Sequence, residues 1–249
     1  MTDSEIANHA GENFTLDSVT ARYGPLTALR DISVTVEDSS VVAIIGPNGA
    51  GKSTMLRVAS GLMQPSKGRV ALGSTDITDW PPERRASAGI CHVPEGRGVF
   101  PGLTVRENLV LQASAATEGE DIDAALQAFP ILGQRLKQIA GTLSGGQQQM
   151  LALARVVVSR AQFILLDEVS LGLAPIVVDQ IYEFISQLAA AGRSLLLVEQ
   201  YVNRALAVAD YVYLLGNGAV RFHGKPAELD VEGVIESYLG GESALFETN

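Results

Sequence analysis

The sequence predicts an α/β protein built around a parallel sheet, and two patterns support this fold class. One is a set of short, uncharged apolar runs at Val41–Ile45, Ile90–Val93, Phe163–Leu166, Leu195–Val198 and Tyr211–Leu215. Continuous runs of this length are typical of parallel strands that are covered on both faces. The other is a glycine or polar residue after several of these runs, followed by a helical pattern, as expected when strands and helices alternate.

The residues before this sheet predict a different β structure. Phe14–Tyr23 and Ile32–Val36 alternate apolar and polar residues, which indicates antiparallel strands with one solvated face. Arg69–Leu72 is predicted as a further short strand. We therefore expect an antiparallel β subdomain in the N-terminal part of the chain.

Residues 105–160 show no strand pattern and predict a helical insertion into the sheet. Arg106–Ala113, Ile122–Ala128 and Gln147–Ser159 have helical composition, whereas the acidic stretch 114–121 is interpreted as a solvated loop.

A short helix is also predicted upstream of the insertion. Trp80-Pro81-Pro82 indicates a helix that starts at a proline. Its charged residues Arg84 and Arg85 are expected in solvent.

Composition and charge narrow the function classes. The 249 residues carry 28 acidic against 18 basic side chains, a net charge of −10, which disfavours a general grip on nucleic acid phosphates. A single cysteine, Cys91, cannot form an internal disulfide.

The apolar windows are interrupted by charges, so no membrane span is predicted and the chain is expected to be soluble by itself. Residues 1–12 and 241–249 are polar and acidic and are expected to be flexible ends.

The nine residues after the first apolar run match the phosphate-binding pattern G-x-x-x-x-G-K-[ST]. They are Gly46, Pro47, Asn48, Gly49, Ala50, Gly51, Lys52, Ser53 and Thr54. Glycines let the backbone N–H groups of such a loop surround an anion, and the following helix adds its positive end. Lys52 then reaches the β- and γ-phosphates of a nucleotide, and the Ser53 hydroxyl can bind Mg²⁺.

Two adjacent acids end another of the predicted strands. Asp167 and Glu168 follow Phe163–Leu166, at the strand edge where open α/β sheets bind ligands. Two carboxylates side by side are costly unless they face a cation or a reacting water. We expect Asp167 to hold Mg²⁺ and Glu168 to orient or deprotonate the attacking water.

A second anion cradle precedes the longest helix of the insertion. It consists of Leu143, Ser144, Gly145, Gly146 and Gln147. Ser144 at the start of a helix is a plausible N-cap, and taken alone this segment is equally well explained as an ordinary capped helix.

Together these residues resemble the ATP-binding cassette (ABC) family, in which L-S-G-G-Q is the signature, and the resemblance covers roughly residues 14–240. It implies a single domain over 13–240: a P-loop NTPase core with the β subdomain at 13–98 and 160–240, and a helical subdomain at 99–159. It further implies that two cassettes pair head to tail, so that the signature of one closes on the ATP held by Lys52 of the other.

The resemblance also assigns roles outside these motifs. Tyr23 matches the aromatic residue that stacks on adenine. Glu95 stands where most cassettes have a glutamine that senses Mg²⁺, and Gln200 stands where a histidine usually contacts the γ-phosphate. Ala174 replaces a common aspartate and Val169 a common proline.

These departures resemble the shorter ATPase subunit of branched-chain amino acid importers, and those of related urea or amide importers. The implied partners are a second cassette in a heterodimer or homodimer, two membrane permeases on the cytoplasmic face of the cell membrane, and indirectly an extracytoplasmic solute-binding protein. By the same resemblance, the apolar run 99–106 is where a permease would press, unless it packs within the insertion.

Two other function classes stay open at this point. A cassette acting in DNA repair would separate its motifs by a long coiled coil, and one acting in translation would usually carry two such cores. A small-molecule kinase would leave Ser144–Gln147 unexplained.

Overall fold

The computed structural model describes residues 11–96, 98–113, 117–231 and 233, which form two β-sheets and eight α-helices among the described residues. The strands are β1 Phe14–Tyr23, β2 Leu26–Val36, β3 Val41–Ile45, β4 Lys67–Leu72, β5 Thr75–Asp76, β6 Ile90–Val93, β7 Phe163–Asp167, β8 Ser194–Val198, β9 Tyr211–Gly216 and β10 Ala219–Gly224. The helices are α1 Lys52–Ala59, α2 Pro82–Ser87, α3 Val105–Val110, α4 Glu118–Ala128, α5 Pro130–Gly133, α6 Gly145–Val158, α7 Pro175–Ala190 and α8 Val202–Val208.

The larger sheet has the strand order β10-β9-β3-β8-β7-β6, and all neighbouring pairs are parallel except β9 with β10. All five predicted apolar runs are strands of this sheet, and every residue of β3, β7 and β8 is buried. Alternate residues of β3 belong to two different cores, one on each face of the sheet. The prediction of a doubly covered parallel sheet is therefore confirmed.

The smaller sheet is antiparallel, with the order β2-β1-β4-β5, as predicted for the N-terminal part. Its apolar face packs on the parallel sheet, where the rings of Phe14 and Phe163 lie 6.0 Å apart. Strand β2 starts at Leu26, six residues before the predicted start at Ile32, because it pairs along the whole of β1 down to Tyr23.

Between β6 and β7 the described residues form α3, α4, α5 and α6, which agrees with the predicted helical insertion. The predicted loop 114–121 is wrong over residues 118–121, which begin α4; residues 114–116 lie outside the described part. Acids stabilise the positive first turn of a helix, and here Glu118, Glu120 and Asp121 occupy it. Asp121 is also buried and accepts a 2.6 Å hydrogen bond from Arg160.

No sequence pattern predicted the helices α5, α7 and α8 or the strands β5 and β10. Strand β10 follows β9 through Asn217 and Gly218, both with positive φ, as in a two-residue hairpin. Along the described stretches of the chain, no helix is both long and apolar enough to cross a membrane. Of the predicted flexible ends, 1–12 and 241–249, residues 1–10 and 241–249 lie outside the described residues.

Arg85 is completely buried, so the expectation that it lies in solvent is wrong. Helix α2 does start at the predicted prolines, but it turns Arg85 inward. The guanidinium donates hydrogen bonds of 2.7 and 2.8 Å to the carbonyls of Val58 and Ala59, the last residues of α1, and a further 2.8 Å bond to the carbonyl of Thr78. Burial lowers the pKa of Arg85 to about 10. The charge is held by backbone oxygens, including the carbonyls at the end of α1 that have no partner in a following helical turn.

We predict that Arg85→Met lowers the free energy of unfolding by at least about 3 kcal/mol, because it leaves several buried carbonyls without a donor. Urea denaturation of the purified protein measures this. The matched control is Arg84→Met on the same helix. The exposed Arg84 guanidinium lies 3.8 Å from the centre of the partly buried Trp80 ring, a contact worth about 1 kcal/mol. Equal losses in the two variants would contradict the role given to Arg85.

Candidate nucleotide site

The carboxyl ends of β3, β7 and β8 meet at one edge of the parallel sheet and surround a polar cavity. The cavity is lined by Tyr23, Leu26, Ala28, Asn48, Gly49, Gly51, Lys52, Ser53, Thr54, Glu95, Glu168, Leu171 and Gln200. Ten of the predicted nucleotide-binding, metal and catalytic residues converge here: Tyr23, Asn48, Gly49, Gly51, Lys52, Ser53, Thr54, Glu95, Glu168 and Gln200.

The loop between β3 and α1 is shaped by glycines with neighbours too close for a side chain. A Cβ on Gly51, whose φ is +105°, would lie 2.7 Å from a methyl group of Leu29. A Cβ on Gly46 would lie 2.4 Å from the carbonyl oxygen of Leu215. Pro47 and Ala50 do not line the cavity, but the carbonyl of Pro47 accepts a hydrogen bond from the N–H of Ala50 and closes the loop.

Lys52 is buried at the start of α1, and its ammonium group points into the loop. It donates to the carbonyls of Gly46 at 2.8 Å and Pro47 at 3.2 Å, and it lies 3.6 Å from Glu168 Oε1. Three acceptors hold one cation beside the N-terminus of a helix, which is where an anionic phosphate is favoured.

Ser53 lines the cavity, whereas its neighbour Asp167 is buried and does not line it. The Ser53 hydroxyl donates to Asp167 Oδ1 at 3.3 Å. Burial, helped by the nearby Glu168 and Glu95 carboxylates, raises the pKa of Asp167 to about 6, although the Ser53 hydrogen bond opposes this shift. Such an environment favours a cation between these oxygens. Among the described residues, no group of three or more His, Cys, Asp and Glu side chains is arranged to hold a metal ion without other ligands.

Glu168 and Gln200 meet on the opposite wall. Glu168 has a φ of +46°, an uncommon conformation for a residue with a side chain and one often found at active sites. Its N–H donates to the carbonyl of Val198 at 2.9 Å, which ties the ends of β7 and β8 together. The amide of Gln200 donates to Asn48 Oδ1 at 2.8 Å and lies 3.4 and 3.5 Å from the two Glu168 carboxylate oxygens.

The mouth of the cavity carries exposed side chains. Tyr23 is 43% exposed, and its ring centre lies 5.9 Å from the Arg57 guanidinium carbon. Leu26 and Leu171 also line the cavity and are more than 40% exposed. No sequence pattern selects these two leucines, since isolated leucines are most often core residues.

The signature residues Leu143–Gln147 do not line this cavity in the described part of the structure. Ser144 caps α6: its hydroxyl accepts from the Gln147 N–H at 3.4 Å, and the Gln147 side chain accepts from the Ser144 N–H at 3.1 Å. A Cβ on Gly146 would touch Val177 at 3.0 Å. The capped-helix interpretation is therefore correct locally, and the segment is separate from the phosphate loop of its own chain.

A parallel sheet with a glycine loop, a buried lysine and two acids at one edge defines a nucleotide-binding P-loop protein. Residues 29–170 match the family described as ABC transporter. Since this is more than half of the chain, the protein belongs to the ABC transporter family and is an ATP-binding cassette ATPase.

Two similar proteins carry a more specific description. A high-affinity branched-chain amino acid transport ATP-binding protein of Pseudomonas aeruginosa is 43% identical over 230 residues, covering 90% of this chain and 98% of the relative. A probable branched-chain amino acid transport ATP-binding protein of Archaeoglobus fulgidus is 42% identical over 84% of this chain and 90% of its own. A lipopolysaccharide export ATP-binding protein of Escherichia coli is 32% identical.

Solved structures show the same fold. An ATP-binding cassette of an ABC transporter in its ADP conformation has a TM-score of 0.79 and 27% identity, covering 92% of this chain and 99% of the other. The predicted fold class is thus confirmed from both sequence and structure.

We predict that Lys52→Ala weakens ATP binding by at least about 100-fold, because charge-assisted hydrogen bonds to phosphate of about 3 kcal/mol are lost. Fluorescence titration with a labelled ATP analogue measures the affinity. Lys67→Ala, which removes an exposed lysine from β4, is the control and should bind ATP normally. Tight binding by the Lys52 variant would contradict the phosphate role of the loop.

Proposed function

We propose that this chain is the ATP-hydrolysing subunit of a branched-chain amino acid importer. The observation that carries the proposal is 43% identity to such a subunit along nearly the whole length of both chains. The lower identity of the lipopolysaccharide exporters, 32%, favours import of amino acids over that alternative. Gln200 and Glu95 in the cavity, with Ala174 following Glu168, support the same subgroup through the resemblance of the sequence motifs.

The phosphate loop and the acids suit an ATP·Mg²⁺ complex. Ser53 and Glu95 carry oxygen atoms in the cavity lining, and the buried Asp167 carboxylate lies 3.3 Å from the Ser53 hydroxyl. Mg²⁺ commonly takes one or two carboxylates together with phosphate oxygens. When bound, the metal would neutralise charge on the phosphates. Lys52 would contact the β- and γ-phosphates, and Tyr23 would stack on the adenine ring at the mouth of the cavity.

Glu168 is the group best placed to activate water. Its carboxylate lies beside Lys52 and within reach of the Gln200 amide. An amide cannot take up a proton, so Gln200 serves as a hydrogen-bond donor. In this proposal Glu168 orients the attacking water and accepts its proton, while Gln200 and Lys52 donate to the γ-phosphoryl oxygens.

The signature segment supports a paired arrangement. Since Ser144–Gly146 caps a helix away from the cavity of its own chain, its N–H groups are proposed to meet the ATP of a second cassette, in a heterodimer or homodimer. A further surface would bind two membrane permeases, which themselves contact a solute-binding protein. In this proposal the chain lies on the cytoplasmic face of the membrane.

The permease surface is proposed to be the groove between the core, residues 13–98 and 160–240, and the helical subdomain, residues 99–159. Exposed Phe100 and Leu62 line this groove. Arg155 crosses it, with its guanidinium carbon 5.7 Å from the Phe100 ring centre and a hydrogen bond to the carbonyl of Gly98. An apolar groove rimmed by a cation fits a short amphipathic segment of a permease.

We predict that Glu168→Gln lowers kcat for ATP hydrolysis by at least about 100-fold while ATP still binds, since the amide cannot accept the proton. Phosphate release and nucleotide titration give the two quantities. Glu183→Gln on the exposed face of α7 serves as the control. Hydrolysis by the Glu168 variant at the wild-type rate would show that another group is the base.

We also predict that Phe100→Asp releases the chain from membranes that contain its permeases and abolishes leucine, isoleucine and valine uptake in cells. Hydrolysis by the isolated chain should be unchanged, because Phe100 is outside the cavity. Ile139→Asp, at an exposed apolar residue outside the groove, is the control. Uptake of another solute class in a wild-type strain, with no uptake of these amino acids, would refute the proposed substrate.

A further inference from the structure

The carboxyl group of Glu199 is buried directly behind the nucleotide cavity, where it is 1% exposed. It is the residue after β8 and immediately precedes Gln200. The Ser170 hydroxyl, also completely buried, lies 2.8 Å from both carboxylate oxygens. The backbone N–H groups of Gln200 and Ser170 also donate to this carboxylate.

A buried carboxylate is expensive compared with an apolar side chain of the same size, so its presence calls for a cause. Burial raises the pKa of Glu199 to about 7, and the three donors oppose this shift. Among the described residues, no lysine, arginine or histidine forms an ion pair with Glu199; the hydroxyl of Tyr182 is a further polar group near it. The Glu199 carboxylate therefore accepts its hydrogen bonds from two backbone N–H groups and one hydroxyl.

The segments that Glu199 joins carry the groups that meet in the cavity. Ser170 is two residues after Glu168, and Gln200 is the next residue after Glu199. The Glu199 N–H also lies 3.3 Å from the carbonyl of Ile44, in the strand that leads into the phosphate loop. One side chain and its own backbone thus connect the ends of β3, β7 and β8.

We expect the rate of hydrolysis to be sensitive to the distance between the Gln200 amide and the Glu168 carboxylate. The Gln200 amide is 3.4 to 3.5 Å from the Glu168 carboxylate, at the outer limit of a hydrogen bond. A displacement of about 1 Å of a reacting group can cost about 100-fold in rate. A clamp behind both residues would keep this separation constant.

We propose that Glu199, through Ser170, is a positioning residue that holds Gln200 in register with Glu168. The inference rests on the catalytic roles proposed above for those two residues. Glu199 does not line the nucleotide cavity, and in this proposal it acts only through the placement of Gln200.

The test is a double-mutant cycle on the purified full chain. Glu199→Gln keeps the shape of the side chain but turns an amide group toward donors, and Ser170→Ala removes the hydroxyl. Each is expected to lower kcat by about 10-fold with the KM for ATP nearly unchanged. In a Gln200→Ala background, Glu199→Gln should change kcat by less than about 2-fold, since the residue through which it acts is gone.

The matched control is Ser194→Ala. Ser194 is also a completely buried serine, at the opposite end of β8, where its hydroxyl accepts from the N–H of Ser39 at 2.9 Å. Thermal unfolding of all variants identifies any loss of activity that is caused by destabilisation. The Ser194→Ala control should lose stability but keep its kcat once the folded fraction is taken into account.

The outcomes separate this inference from the proposed function. If Gln200→Ala lowers kcat but Glu199→Gln and Ser170→Ala do not, the positioning role is overturned and the role of Gln200 stands. If the Glu199 and Gln200 losses multiply, Glu199 does not act through Gln200. If Gln200→Ala hydrolyses ATP at the wild-type rate, the role of Gln200 is wrong and the inference falls with it.

Discussion

The shared edge of β3, β7 and β8 is the constraint on which the nucleotide site depends. Parallel strands end on the same side of a sheet, so loops that are more than a hundred residues apart along the chain become neighbours. Both faces of these strands are buried, and their order therefore cannot change without exposing a core. The rigidity of this edge gives Lys52, Asp167 and Gln200 fixed positions relative to one another.

Charge balance at this edge explains how the groups can coexist. Lys52 is a buried ammonium near the carboxylates of Glu168 and Asp167, and Glu95 adds a further negative charge beside Asp167. The carbonyls of the phosphate loop add partial negative charge around it. ATP would compete with Glu168 for the same ammonium, so binding of phosphate and release of the catalytic carboxylate are one electrostatic event in the proposed mechanism.

Local patterns in the sequence predicted the buried strands, the antiparallel sheet, the helical insertion and the phosphate loop, because each is written in neighbouring residues. These patterns failed where a residue's environment depends on partners far away along the chain. Arg85 was expected in solvent because its acceptors, the carbonyls of Val58 and Ala59, lie on another helix. The Glu199–Ser170 contact spans 29 residues and has no local signal. The start of α4 was mistaken for a loop because acids suit both a solvated turn and a first helical turn.

The guanidinium of Arg85 grips the last carbonyls of the helix whose first residue is Lys52. At about 1.5 Å per residue this helix is roughly 12 Å long, so the grip and the nucleotide are at opposite ends of one short rod. While its C-terminal end is held by these hydrogen bonds, helix α1 has little freedom to slide or tilt. A substitution at Arg85 would therefore disturb the nucleotide site from the far end of α1, although Arg85 makes no contact with the nucleotide cavity.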